Sequence, residues 1–510
     1  MFHYWLTIVT FLPLLGGIVT LLLPDNRLSI VRWTALGFAL LNLIVAVVIG
    51  LLYAATNTSS AYLGTYQLQD TVQWIPTLGI NYSLAVDGIS VLLLLLTSLL
   101  TAVSIGASFS IERKVKHYMA FMLLMESGII GVFLAANLFL FYIFWELMLI
   151  PAYFLVGSWG GERRIYAAFK FLLYTSVGSL LMLAGIIALG YYHQVAAGGS
   201  YTLELSSLLN TKLDGTIQLW LFLAFAVAFA VKVPFFPLHS WLPDAYSEAP
   251  APVTAMLAGA MTKTGAYGFL RLCIPLFPQA AQTLAPLFSI LAVISILYSA
   301  ILALTQSDLK RLIGYSSISH LGVVMLGMFA FNIQGVEGSV MQMVNHGITI
   351  VALFLLIGFL ETRTGTRRLS DFGGLSWRVP VLATVMCIAS LSSLGLPGLN
   401  SFAGEFVALL GVFRSNVVYG VLATAVVIPA AWYMLRFFLG IMQGPPQTER
   451  SVGASIRKKT LADMSLGEFG VLAPLLALIF YIGVQPLPLT FLMEPSVLNT
   501  MQALGSAFIK

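Results

Sequence analysis

The sequence predicts an all-α polytopic membrane protein of about fourteen transmembrane helices, with two inverted five-helix repeats that each contain a broken helix. Three observations lead there. Hydrophobic residues make up 59% of the 510 and charged residues only 9%, against about 25% charged in a soluble domain. Apolar runs of about 20 residues, enough to cross a bilayer, recur along the chain, and the mean hydropathy is +0.94. Two further runs are too long for one straight span, and each carries helix breakers near its middle.

The spans are expected near 4–23, 32–54, 84–109, 117–135, 137–157, 167–192, 217–243, 251–275, 280–304, 309–330, 338–360, 379–414, 417–442 and 467–485. The first lacks a basic leader and a small-residue cleavage site, so it reads as a retained span rather than a signal peptide. The segment 217–243 is interrupted by Pro234 and Pro237, and 379–414 by Gly395, Pro397 and Gly398, because proline removes a helical donor and clashes with the preceding turn. Pro234 and Pro397 are 163 residues apart, each in the fourth span of a block of five. An odd-numbered block repeated once inverts its topology, and paired broken helices mark ion paths in transporters built that way. The chain then divides into an N-terminal three-helix segment (1–116), a first repeat (117–275), a second repeat (280–442), and a loop, last helix and tail (443–510).

Basic residues orient the spans. Alternate loops on one side hold nineteen of the 25 Lys and Arg, among them Arg113, Lys114, Lys310, Arg311, Arg367, Arg450, Arg457, Lys458 and Lys459. The other side holds Lys212, Arg271, Arg414 and Lys510, which leaves Lys232 and Lys263 inside the membrane. The richer side is expected to face the cytoplasm, with both termini outside. The net charge of +5 follows from this bias, so the lipid bilayer, and no nucleic acid, is the expected partner. Cys273 and Cys387 lie in apolar runs, and no CxxC, glycine-rich phosphate loop or HExxH occurs. No cofactor or metal is therefore expected in this chain.

A charge at a helix centre costs about 2.5–3.5 kcal/mol on insertion scales, so each buried ionisable residue needs a reason. Glu126, Glu146, Lys232, Lys263 and Glu405, with His320 and His346, fall in seven different spans. One such residue reads as an ion pair that pins helices; seven do not, since Gly, Ser and Thr pack helices at lower cost. Glu146 in "FYIFWELMLIP" must be protonated or paired, and Lys232 is its natural partner. Pro234 and Pro237 should strip the donors from the Ala230 and Val233 carbonyls, leaving dipoles beside Lys232. Lys263 sits among Thr262, Thr264, Gly259, Gly265 and Gly268 with no carboxylate in its own span, so its proton is expected to be mobile. His320 and His346 lie mid-span beside serines, an asparagine and a threonine. A proton relay is favoured over satisfied core histidines, with haem or metal ligation last. His117 and His239 stand near the basic boundary and read as solvated histidines or proton-access groups.

The stretches "FWELMLIP", "KVPFFPLHSWLPDAYSEAP", "LKRLIGYSSISHLG", "NHGITIVALF" and "GLPGLNSFAGEF" together resemble the antiporter-like membrane subunits of complex I, a family shared with Mrp-type cation/proton antiporters and membrane-bound hydrogenases. The resemblance covers nearly the whole chain. Three features set this sequence apart from the L-type and N-type complex I chains or the Mrp antiporters. Glu405 stands where those relatives usually carry lysine, "NHGITIVALF" lacks the lysine that follows the histidine in L-type and Mrp relatives, and no long lateral helix follows the last span. Asn137 stands where many relatives carry aspartate, so that residue's role is not carried over.

The resemblance implies a proton-translocating subunit of a complex I-type NADH:quinone oxidoreductase in a bacterial inner membrane or an equivalent energy-converting membrane. The redox chemistry would lie in other subunits, and L-type and N-type chains are the expected neighbours. Each five-helix repeat would form a half-channel. Glu146 and Lys232 would pair in the first, Lys263 would act as the central relay, and His320 and His346 would lead to Glu405 in the second. The alternative is a subunit of an Mrp-type cation/proton antiporter or membrane-bound hydrogenase.

Overall fold

The structure, a computed structural model, describes all residues except 1–3, 25, 57–65, 67, 77–78, 198–200, 445–460 and 506–510. Arg450, Arg457, Lys458, Lys459 and Lys510 therefore lie outside the described residues. The protein is mostly helical. Eleven helices among the described residues are long and apolar enough to cross a membrane, from Trp5–Leu22 to Leu466–Val484. Helical segments also occupy 251–276, 309–328 and the interrupted 380–415. Leu309–Met328 falls outside the eleven, and its polar side chains explain why: Lys310, Ser316, Ser317, Ser319 and His320 all point inward.

Burial sorts the helices into a core and a lipid-facing shell. The hydrophobic windows of Ile333–Thr364 and Gly88–Ser110 are 94% and 89% buried, whereas those of Val417–Met442 and Leu466–Val484 are each 28% buried. The outer helices leave Leu22, Ile428 and Val484 largely exposed. Contiguous apolar exposure of that kind suits lipid and not water.

Both interrupted segments are broken where the sequence indicates. Gly215–Lys232 stops at the prolines and the chain resumes helix at Trp241–Glu248. Pro380–Ser393 stops before Gly395 and resumes as Asn400–Ser415. Gly395 and Gly398 both take positive φ, 78° and 93°, which only glycine adopts readily. The helix through Lys263 is itself irregular, with π turns at Leu257–Met261 and Phe269–Cys273. Such turns shift the backbone bonding by one residue and recur at functional sites.

Two elements differ from the expectation. The span expected from 84 starts at Gly88, because Asp87 caps it: Ser90 N donates to Asp87 Oδ1 at 2.8 Å. The residues before it form a hairpin of Leu68–Ile75 and Ile80–Val86. It is anchored where Thr7 N and Oγ1 both donate to Asp70 Oδ2 at 2.8 Å. The tail is also structured, as the 17-residue helix Leu487–Ala503. Its Ser496 Oγ accepts from Gly88 N at 2.9 Å, and a Cβ on Gly88 would meet the Leu492 carbonyl at 1.9 Å.

Candidate functional site

Lys232 is the last residue of the first half of its broken helix, at the end where a helix dipole favours a cation. Its side chain is 1% exposed, and Nζ has no hydrogen-bond partner. The ammonium instead lies over two aromatic faces, 5.1 Å from the Trp145 ring centre and 5.7 Å from that of Phe171. Rings at that range attract a desolvated cation by about 2 kcal/mol. Trp145 is the neighbour of Glu146, whose Oε1 is buried and also without a partner. The direct Glu146–Lys232 contact expected from the sequence is therefore open, with the indole beside it. The freed carbonyls differ too. Ala230 O accepts from Phe235 N at 2.8 Å, and Val231 O from Trp241 Nε1 at 2.9 Å. Of the two carbonyls expected to be freed, Ala230 and Val233, the break thus gives Ala230 a new donor rather than leaving it vacant.

Lys263 is wholly buried and makes two contacts. Its Nζ donates to the carbonyl of Ala258, inside the π turn, at 2.5 Å. It also lies 2.7 Å from His346 Nδ1, on the Ile333–Thr364 helix. The other imidazole nitrogen of His346, Nε2, is buried without a partner. The His320 ring centre is 5.8 Å from that of His346. A void of about 10 Å³ lined by both histidines, Gln342, Thr349, Ser393 and Ser401 adjoins them, about the least that holds one water.

His320 Nδ1 reaches Glu405 Oε1 at 2.5 Å, and Gln342 Nε2 donates to the same oxygen at 2.9 Å. Ser393 Oγ lies 3.5 Å from His320 Nε2. Small residues permit this convergence. A Cβ on Gly338 would come within 2.1 Å of Ala408 N, and one on Gly404 within 2.7 Å of Gln342 Oε1, so Ile333–Thr364 and Asn400–Ser415 meet backbone to backbone. Asn400, the first residue after the second break, ties it down: Ser392 Oγ donates to its Oδ1 at 2.6 Å and Asn345 Nδ2 to its carbonyl at 2.6 Å. Lys263, His346, His320 and Glu405 thus form one row, while Glu146 and Lys232 form a separate group.

A family model described as NADH:quinone oxidoreductase/Mrp antiporter matches residues 135–429. The chain belongs to that family. It is 39% identical to NADH-quinone oxidoreductase subunit M of Rhodobacter capsulatus, over 98% of this chain and 96% of that one. Its fold matches a chain of respiratory complex I from Thermus thermophilus with a TM-score of 0.86 and 31% identity, covering 98% and 100% of the two chains. A chain of the Mrp complex from Dietzia shares the fold at a TM-score of 0.78 and 21% identity, over 98% and 99%. This antiporter-like chain is a proton-translocating membrane subunit of complex I type.

In this antiporter-like subunit all six candidate site residues fall within the matched region. Glu126 lies outside it and takes a partner from another span, Asn42 Nδ2 donating to Oε1 at 2.8 Å. Asn137 caps the helix of Glu146, accepting from Phe139 N at 3.0 Å. Its amide donates to Glu204 Oε1 at 2.8 Å. Burial pushes the Glu204 carboxyl up. Glu204 carries no signal in the sequence, since a glutamate in a polar loop reads as solvated. His117 is exposed, whereas His239 is 7% exposed and stacks 5.8 Å from Phe236. Lys310, counted among the loop cations, is only 2% exposed. Trp145, Gln342 and Ser393 contact the site residues, yet in the sequence each reads as core or helix packing.

Proposed function

We propose that protons move through this subunit by way of Glu146, Lys232, Lys263, His346, His320 and Glu405, driven by redox chemistry carried out in other subunits. What supports this most is the row from Lys263 to Glu405, with contacts of 2.7 Å and 2.5 Å at its two ends and a small void between its two histidines. Lys263 donates a proton to His346 Nδ1, and the imidazole releases the other proton from Nε2. A water in the void beside the two histidines takes that proton and gives one to His320 Nε2, and His320 Nδ1 passes one to Glu405. Histidine suits the middle positions because it has two nitrogens, one to receive a proton and one to release it.

The first group works by charge balance. Lys232 held over Trp145 is poised between that ring and Glu146. A change of charge nearby moves the ammonium toward the carboxylate or away from it. The subunit carries no redox centre of its own in this reading, and other membrane-arm subunits, including L-type and N-type chains, flank it. The two five-helix blocks act as half-channels. The basic loops face the cytoplasm and both termini face the opposite side of an energy-converting membrane.

The test is made in the assembled complex reconstituted into liposomes. Glu146→Ala is expected to leave assembly and quinone reduction intact and to lower the protons moved per electron. Normal pumping by a fully assembled Glu146→Ala complex would sink the assignment.

A further inference from the structure

The half-helix Trp241–Glu248, which resumes after Lys232, is gripped by cations from the second half of the chain. Lys310, at the second position of Leu309–Met328, donates to the carbonyl of Ala249 at 3.1 Å and pairs with Glu361 at 3.1 Å. Arg367 donates to the carbonyl of Ser247 and pairs with Asp308 at 3.2 Å. Arg311 pairs with Asp244. Cations at a helix C-terminus suit its dipole. A lysine whose side chain is only 3% exposed is nevertheless a costly way to hold a helix that backbone packing could hold.

Asp244 is the centre of the arrangement. One of its oxygens takes Arg311, and the other takes Lys170 Nζ at 2.8 Å. Lys170 also donates to the Ser240 carbonyl at 2.9 Å. It lies on Arg164–Ala197, next to Phe171, whose ring sits under the Lys232 ammonium. Arg311 lies on the helix that carries His320. One carboxylate thus touches the helix that walls the first group and the helix that bears the second. A cavity of about 130 Å³ lined by Asp244, Arg311, Arg367 and Asp308 opens beside it.

We propose that Asp244 is a positioning residue that couples the two halves: its pairs with Lys170 and Arg311 keep the half-helix behind Lys232 in register with the His320 helix. A displacement that begins when Lys232 gains or loses charge is then handed to the second group through rigid elements. The proposal rests on the reading that Lys232 lies on the proton path.

Proton movement and quinone reduction are measured side by side in liposomes, with assembly checked on native gels. Lys232→Ala first defines the share of pumping that depends on this subunit. Asp244→Asn is expected to cut that share at least about twofold while quinone reduction continues. Asp244→Glu restores it, and Arg311→Gln added to Asp244→Asn causes no further loss. Full pumping by an assembled Asp244→Asn complex overturns the coupling role. So does failure of Asp244→Glu to rescue, which would mark a packing site. If Asp244→Asn does not assemble, Lys170→Gln replaces it, and full pumping there overturns the proposal equally. Full pumping by Lys232→Ala would instead remove the proton-path reading itself, an outcome distinct from loss of the Asp244 arm alone.

Discussion

Lys263 and His346 stand 2.7 Å apart although 83 positions separate them in the chain, and the lysine's other contact is a carbonyl of the π turn just before it. The amine is thus fixed on one side by backbone and on the other by a group that can accept its proton. Lys263→Met fills the same space without a proton. It is expected to abolish this subunit's contribution to pumping in liposomes, with assembly retained. A scaffold role would leave pumping unchanged.

Trp145 holds Lys232 where no anion touches it. Trp145→Leu removes the ring while keeping an apolar wall, a loss of about 1–2 kcal/mol of cation–π attraction. The ammonium then moves to Glu146, and the pair becomes harder to switch. Slower pumping with unchanged assembly is expected, measured as the initial rate of dye quenching in liposomes.

Gly338→Ala tests the backbone contact that brings Gln342 to Glu405. The new methyl would meet Ala408 N at 2.1 Å, forcing the two helices apart at a cost of about 1–3 kcal/mol. A lower thermal midpoint of the purified complex and reduced pumping are expected together. Gly365→Ala is no control for space, because Gly365 takes φ 75°; Gly470→Ala, with nothing within 4 Å, is expected to be silent.

Asp463 gives a pH dependence outside the spans. Burial works against its charge, but N–H groups of Val381, Leu382 and Met464, with Arg363, hold its carboxyl below the usual range. Val381 and Leu382 open the helix Pro380–Ser393, so this carboxylate caps that helix from a distant segment. Because the folded state lowers this pKa, the stabilisation is complete above the unfolded value. It is lost as pH falls through the folded one. Asp463→Asn should lower the thermal midpoint at neutral pH and flatten its fall toward acid, followed by thermal scans of the detergent-solubilised complex. An unchanged acid slope would contradict the cap.

The breaks at Pro234 and at Gly395–Gly398 were legible because proline and clustered glycine carry local rules that apply inside an apolar run as well as outside it. The row from Lys263 to Glu405 was legible as residue types, since a charge in hydrocarbon must have a reason. Its geometry was not, because contacts between distant helices leave no periodic mark. The open contact at Lys232 shows the same limit: Trp145 reads as one more apolar residue until its ring is seen under the ammonium. The hairpin at 68–86 was masked by the leucine-rich run that follows Asp87, and Lys310 read as a loop cation because it stands two residues after an aspartate.

The row also has an electrical consequence. His346 and His320 stand away from the ends of their helices, Lys263 lies within the helical segment 251–276, and Glu405 lies more than a turn into Asn400–Ser415. A charge carried fully across a membrane at 100 mV does about 2.3 kcal/mol of work against the field. A charge passed sideways at constant depth does almost none. Insofar as the row runs in the membrane plane, the transmembrane voltage loads the steps that bring protons to it and take them away rather than the transfers along it.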